Sequence, residues 1–240
     1  MNLIKSLRSL TLFEKLLWLC SLLTVIVSFL FCVEKDFLSL TASIIGVTAL
    51  IFVAKGDVLG QILSVVFSVF YGIISFSFQY YGEMVTYLGM TAPIALMSVI
   101  SWLKNPFEKN KPQIKINKIS VKEHIFAVVL AIVVTIIFYF ILSYFNTANI
   151  IFSTISVTTS FLASYYMFRR VALYAIAYAM NDIILIILWV MATLENVAYL
   201  PMVICFSVFF INDMYGFLNW RKIRKKQIDF YTSIREEQKI

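Results

Sequence analysis

Eight runs of apolar residues, each close to the length a helix needs to cross a lipid bilayer, dominate this 240-residue chain. They fall at about 16–33, 37–54, 57–78, 84–103, 124–145, 148–167, 171–192 and 197–219, against the ~20 residues that span a bilayer core. No water reaches the backbone there, so only helices or closed barrels can cross. Hydrophobic residues make up 61% of the chain and charged residues 14%, where soluble domains run near 45–50% and 25%. The expectation is an all-α membrane protein with eight transmembrane helices.

The basic residues orient those helices. With the N-terminus inside and the gaps numbered alternately, every Lys and Arg except Lys35 falls on the inner side, as the positive-inside rule requires. Lys5, Arg8 and Lys15 precede the first run, six lysines from Lys104 to Lys122 follow the fourth, Arg169 and Arg170 follow the sixth, and the C-terminal tail from Arg221 carries the rest. The opposite face carries Glu34, Lys35, Asp36 and Glu195, with polar Gln79, Asn146 and Asn149. Both termini are thus expected in the cytoplasm and the chain in the inner membrane. The net charge of +7 is explained by these short loops, so nucleic acid is not expected as a partner. No small-residue cleavage site follows Leu30-Phe31-Cys32, and the first run is expected to remain as a helix.

Metal and redox chemistry find little support. Cys20, Cys32 and Cys205 are far apart and read as packing residues. With one histidine, His124, a His-rich metal centre is excluded, and no Gly-rich phosphate loop or nucleophile elbow is present. No cofactor or metal is expected.

The chain divides at its linker. Residues 105–122 are Lys-rich, with two prolines, and too short for a domain; the helix that follows is almost uniformly Ile, Val and Phe and suits a connector facing lipid. Around it the chain repeats weakly. With Trp102 laid on Trp220, Tyr81 meets Tyr199 and Met84 meets Met202. The division expected is a tail and extra helix at 1–36, a three-helix repeat at 37–104, linker and connecting helix at 105–147, a second repeat at 148–221 and a basic tail at 222–240. Parallel repeats of this kind are a transporter device, with substrate near the midplane between the halves.

Polar residues within the apolar runs carry the chemistry, because a carboxylate at a helix centre costs about 2.5–3.5 kcal/mol even on the lenient insertion scale. Asp182 and Asp213, each preceded by an asparagine (Asn181, Asn212), are the two such residues. Tyr174, Tyr178, Asp182, Leu185 and Trp189 recur at helical spacing and form an aromatic stripe with one acid in it. Asn212, Tyr215 and Asn219 share a face of the last helix. In the first repeat Gln61, Ser64, Ser68, Tyr71 and Ser75 line up, as do Glu83, Tyr87 and Thr91. The serines read first as interhelical glue, and Glu83, within a turn of the outer surface, reads equally well as solvated. Pro93 marks a kink or a hinge. Aromatics, carboxylates and amides together suit a small, planar, hydrogen-bonding and cationic solute. Three classes stay open: a transporter, an intramembrane aspartyl hydrolase using Asp182 and Asp213, and a structural or receptor role.

Tyr81-Gly82-Glu83-Met84, Pro93 followed nine residues on by Trp102, the run from Asp182 to Trp189, and Tyr215-Gly216-Phe217-Leu218-Asn219-Trp220 resemble the PnuC family of vitamin transporters, from about Phe37 to Arg221. The resemblance implies a SWEET-like 3+1+3 core of parallel repeats plus one N-terminal helix. It also implies import of nicotinamide riboside by facilitated diffusion, with intracellular phosphorylation trapping the vitamin; relatives carry thiamine or riboflavin. The family's Trp-x-x-Trp-x-x-x-Asn/Asp motif falls on Ala175, Tyr178 and Asp182, so both tryptophans are replaced. Its Pro-Met-Gln and Gly-Trp positions are here Pro93-Ile94-Ala95 and Ser98-Val99. The substrate-binding residues expected are Tyr174, Tyr178, Asn181, Asp182 and Trp189, then Asn212, Tyr215 and Asn219, with Gln61, Ser68, Tyr87 and Thr91. The expected partners are the vitamin and the bilayer, and a homo-oligomer is left open.

Overall fold

The structure, a computed structural model, describes residues 3–31, 37–77, 81–108, 113–147 and 149–237. Cys32, Glu34, Lys35, Asp36, Gln79, Lys109, Lys111, Ala148 and Lys239 lie outside them. Among the described residues, eight helices are long and apolar enough to cross a membrane, in the order read from the sequence. A short α1 (Leu3–Arg8) precedes the first crossing, α2 (Leu12–Phe31), and α3 (Phe37–Ala54) and α4 (Val58–Ser77) follow. The fourth crossing is α5 (Tyr81–Thr86), a π-helical turn (Tyr87–Thr91) and α6 (Ala92–Leu103). Then come α7 (Val121–Tyr144), α8 (Ile150–Phe168), α9 (Leu173–Glu195) and α10 (Leu200–Glu237).

Local chemistry explains where these helices begin. The α2 helix starts four residues before the expected 16 because Thr11 and Glu14 form a reciprocal cap: the Thr11 N–H donates to Glu14 Oε2 and the Glu14 N–H to Thr11 Oγ1. Ser120 similarly accepts from the Glu123 N–H and opens α7. Pro93 is followed by regular helix but preceded by the π turn. Its ring would collide with the carbonyl four residues back, at Gly89, and a widened turn there relieves the clash. Sequence reading left a kink or a hinge; the observed answer is a local widening that turns Tyr87 and Thr91 inward.

Packing relies on close backbone approach, since lipid-facing and helix-facing apolar surfaces are nearly equivalent in a membrane. A Cβ at Gly60 would lie 2.3 Å from the Val53 backbone nitrogen, so α3 and α4 meet almost backbone to backbone. Most of the connector helix α7 faces outward, only Ala127, Ala131 and Leu142 being buried. It is tied to α8 by Thr135–Thr158 (2.7 Å), His124–Tyr166 (3.2 Å) and a Glu123–Arg169 ion pair.

At the end of the bundle that carries the basic loops, the linker residues from 113 onward form an ordered belt. Ile114, Ile116 and Ile119 are buried. The Ile114 N–H donates to the Gly56 carbonyl, the Asn117 N–H to the Arg170 carbonyl, and Gln227 both donates to the Ile114 carbonyl and accepts from the Ile116 N–H. Buried Gln227 thereby explains why α10 runs on as helix through the segment expected as a basic tail.

Two tryptophans organise this same end reciprocally. Trp102, near the end of α6, donates its indole N–H to the carbonyl of Met167, one residue before the end of α8 (3.1 Å). Trp220 donates to the carbonyl of Val53, one residue before the end of α3 (2.9 Å). Their rings lie 5.6 Å apart.

Candidate functional site

A cavity of about 70 Å³ lies in the middle of the bundle, walled by α3, α4, the π turn, α6, α8, α9 and α10. Its apolar lining includes Gly46, Ala49, Leu50, Phe67, Phe206 and Phe209; its polar lining includes Gln61, Tyr87, Thr91, Tyr178, Asn181, Asp182 and Asp213.

Two of these polar groups are held by neighbours. Asn181 Oδ1 accepts from Ser156 (3.1 Å) and Thr159 (2.9 Å) on α8, which leaves its amide NH₂ as the group free to donate. Tyr178 shares a hydrogen bond with Ser164 at 3.1 Å, fixing its ring against the cavity. Asp182 on α9 and Asp213 on α10 line the same cavity, close enough for their carboxyl groups to interact electrostatically. Asp182 Oδ2 has no hydrogen-bond partner and is buried. Among the described lining residues there is no Lys, Arg or His.

Aromatic seals close both ends. Toward the basic end stand Trp102, Trp220 and Tyr174, all buried, with Tyr174 edge-on to Trp220 at 4.5 Å. Toward the opposite end Trp189 donates to the Tyr71 hydroxyl (3.1 Å), and Tyr71 packs 4.3 Å from Tyr87 and 5.7 Å from Phe206. Glu83 is buried beyond Tyr71 and Tyr87, not solvated, and its Oε2 has no partner.

Of the residues singled out from sequence, Gln61, Ser68, Tyr87, Thr91, Tyr178, Asn181 and Asp182 line the cavity, as do Ser64 and Asp213. Trp189 and Tyr174 instead belong to the two seals. Asn212 faces α2, donating to Ser21 (3.0 Å). Tyr215 donates to Glu14 and Asn219 to the Ala54 carbonyl, both at 2.9 Å, so they look onto the basic end. Ala175, where the family motif has tryptophan, is wholly buried and 3.8 Å from where a Gly216 Cβ would lie; there is no room for an indole. Missed altogether were the apolar lining of α3, α6 and α10, and Glu14, whose carboxylate joins Thr11, Lys55 and Tyr215. The Thr11-x-x-Glu14 spacing was the available signal. Among the described residues no group of three His, Cys, Asp or Glu is arranged for a metal.

Comparison with known proteins gives one consistent answer. The chain is 24% identical over 195 residues to the nicotinamide riboside transporter PnuC of Neisseria mucosa, covering 80% of this chain and 74% of that protein. The crystal structure of the vitamin B3 transporter PnuC superposes with a TM-score of 0.80 at 24% identity, over 91% of this chain and 94% of the other. Residues 36–222 match the nicotinamide mononucleotide transporter family, and with the fold and cavity described above the chain belongs to that family, the PnuC-type membrane transporters.

Proposed function

We propose that this protein imports nicotinamide riboside by facilitated diffusion, carries out no catalysis itself, and leaves trapping of the vitamin to phosphorylation inside the cell. The observation that carries the reading is that Asp182 and Asp213 both line an aromatic, amide-lined cavity with no basic residue among its described lining. The family's description names the mononucleotide and its relative names the riboside. Charge separates them. A phosphate would face carboxyl groups with no Lys or Arg to receive it, whereas the riboside brings one positive charge to two carboxyl groups. Thiamine, also flat and cationic, is the runner-up; riboflavin is neutral and gains nothing from the carboxyls. Calorimetric titration of the purified protein with riboside, mononucleotide, thiamine and riboflavin tests this, and tighter binding of the mononucleotide than of the riboside would overturn it.

The paired carboxyls are also what an aspartyl hydrolase needs. Asp182→Asn separates the two: we expect impaired vitamin uptake and, in the wild-type protein, no cleavage product from membrane-spanning peptides. The reciprocal Trp102 and Trp220 bonds support a 3+1+3 arrangement of repeats, since each third helix grips the first helix of the other half.

Ring stacking is a separate contribution. Tyr178 presents its face one turn from Asp182, and a stacked or cation–π contact is worth on the order of 1–2 kcal/mol. Tyr178→Ala should therefore raise the Kd by about ten-fold, and Ile184→Ala, off the stripe, should change it little. Equal effects in folded protein would make the aromatic stripe packing alone.

The basic end is assigned to the cytoplasm. Lys115 on the belt is exposed. In a variant lacking Cys20, Cys32 and Cys205, Lys115→Cys should resist impermeant maleimide added to intact cells and react once the membrane is opened. Labelling from outside would reverse the orientation.

A further inference from the structure

A second, larger cleft of about 720 Å³ lies at the basic end, between the start of α2, the α3–α4 turn, the belt and the extension of α10. Three lysines border it: Lys55, Lys222 and Lys226. Lys55 is neutralised by Glu14 at 2.8 Å, and that carboxylate is further held by Tyr215 and the Thr11 N–H. Lys222 and Lys226 sit one turn apart on one face of α10, and among the described residues neither has an acidic partner. The cleft therefore carries about two uncompensated positive charges. Positive-inside topology accounts for lysines here but not for the aromatic wall beside them: Phe107 packs on Phe230 (5.4 Å) and Tyr231 (5.8 Å), while Phe230 and Tyr231 stay 43% and 40% exposed.

We propose that this cleft binds a phosphate ester, the aromatic wall favouring a nucleoside monophosphate over a lipid headgroup, and that the bound ligand holds the basic-end seal closed. The lysines take the phosphate as charge-assisted contacts, and Phe230 offers a face to a flat base. Coupling to transport follows from position. Trp220 holds the Val53 carbonyl and Asn219 the Ala54 carbonyl; Lys55 directly follows the end of α3, and Lys222 is two beyond Trp220. A ligand reaching from Lys222 and Lys226 to the Lys55–Glu14 wall spans the same junction between α3 and α10 that must open if the central cavity is to empty toward this end. The phosphorylated form of a vitamin, excluded from the central cavity by charge, would thus slow further import. This last step rests on the import reading above; the binding site itself does not.

The test titrates purified protein with nicotinamide mononucleotide, adenosine monophosphate and inorganic phosphate, alongside Lys222→Ala/Lys226→Ala and, as a control, Lys118→Ala. Both mononucleotides should bind wild type and Lys118→Ala alike, inorganic phosphate more weakly, and the double variant at least about ten-fold more weakly with riboside affinity unchanged. In proteoliposomes of neutral lipid, mononucleotide on the basic side should slow riboside counterflow of wild type but not of the double variant. Lysine-dependent stabilisation by phosphatidylglycerol without any nucleotide binding would keep the phosphate site and assign it to a headgroup. Binding by neither, or equal binding by the double variant, overturns the proposal. Failure of riboside binding alone would instead sink the import reading, since the nucleotide titration is read independently.

Discussion

Replacing both Asp182 and Asp213 by asparagine is expected to weaken binding of nicotinamide riboside by a hundred-fold or more, while either single replacement costs about ten-fold. The asymmetry follows from having two carboxyls in one cavity. Both carboxyls line the cavity, and a lone remaining one can still face the cation, though without its partner beside it. Removing both leaves a cation in a cavity lined by Gln61, Tyr178 and Asn181 with nothing opposite in sign. An uncompensated buried charge costs about 3–5 kcal/mol, hence the hundred-fold floor. Isothermal titration with the riboside and with its neutral dihydro form checks the cause: the neutral form should bind the double variant much as it binds wild type. If the riboside also binds the double variant like wild type, the carboxyl pair is a structural clasp and the cation is held elsewhere.

The crossings were legible because bilayer thickness and loop charge fix them with no knowledge of packing. So were Tyr178, Asn181 and Asp182, since polar groups at mid-helix must face protein. The same stripe misled at its ends: periodicity gives a face of α9 but not a depth, and Tyr174 and Trp189 lie one or two turns beyond the cavity, in its seals. Asn212, Tyr215 and Asn219 share a face of α10, but that face meets α2 and the end of α3, neighbours only the fold reveals. Gly46, Ala49, Phe206 and Phe209 left no trace at all, because in a membrane an apolar residue facing a cavity looks like one facing lipid. The ordered belt and the C-terminal extension were hidden for the opposite reason. Polar, Lys-rich sequence reads as solvated, and one buried amide, Gln227, is enough to dock both.

Trp220→Ala should cost about 3–5 kcal/mol of stability, the range for removing a buried Trp from a packed interior, and Trp220→Phe about 1–3 kcal/mol. Trp220 has no exposed surface, touches Tyr174 and Trp102, and satisfies the Val53 carbonyl. Phenylalanine keeps most of the ring but orphans that carbonyl, which isolates the hydrogen bond from the packing. Trp102 makes the reciprocal bond to Met167, so Trp102→Ala should fall in the same range, and because the two rings are in contact the double variant should depart from additivity by about 0.5–3 kcal/mol. Denaturant unfolding of the four variants in one detergent measures all of these. Strict additivity would mean that each indole acts as an independent cap. Coupling would mean that the basic-end seal is one unit, in which α3 cannot leave α10 without α8 also releasing α6, so that opening there moves both halves of the bundle together.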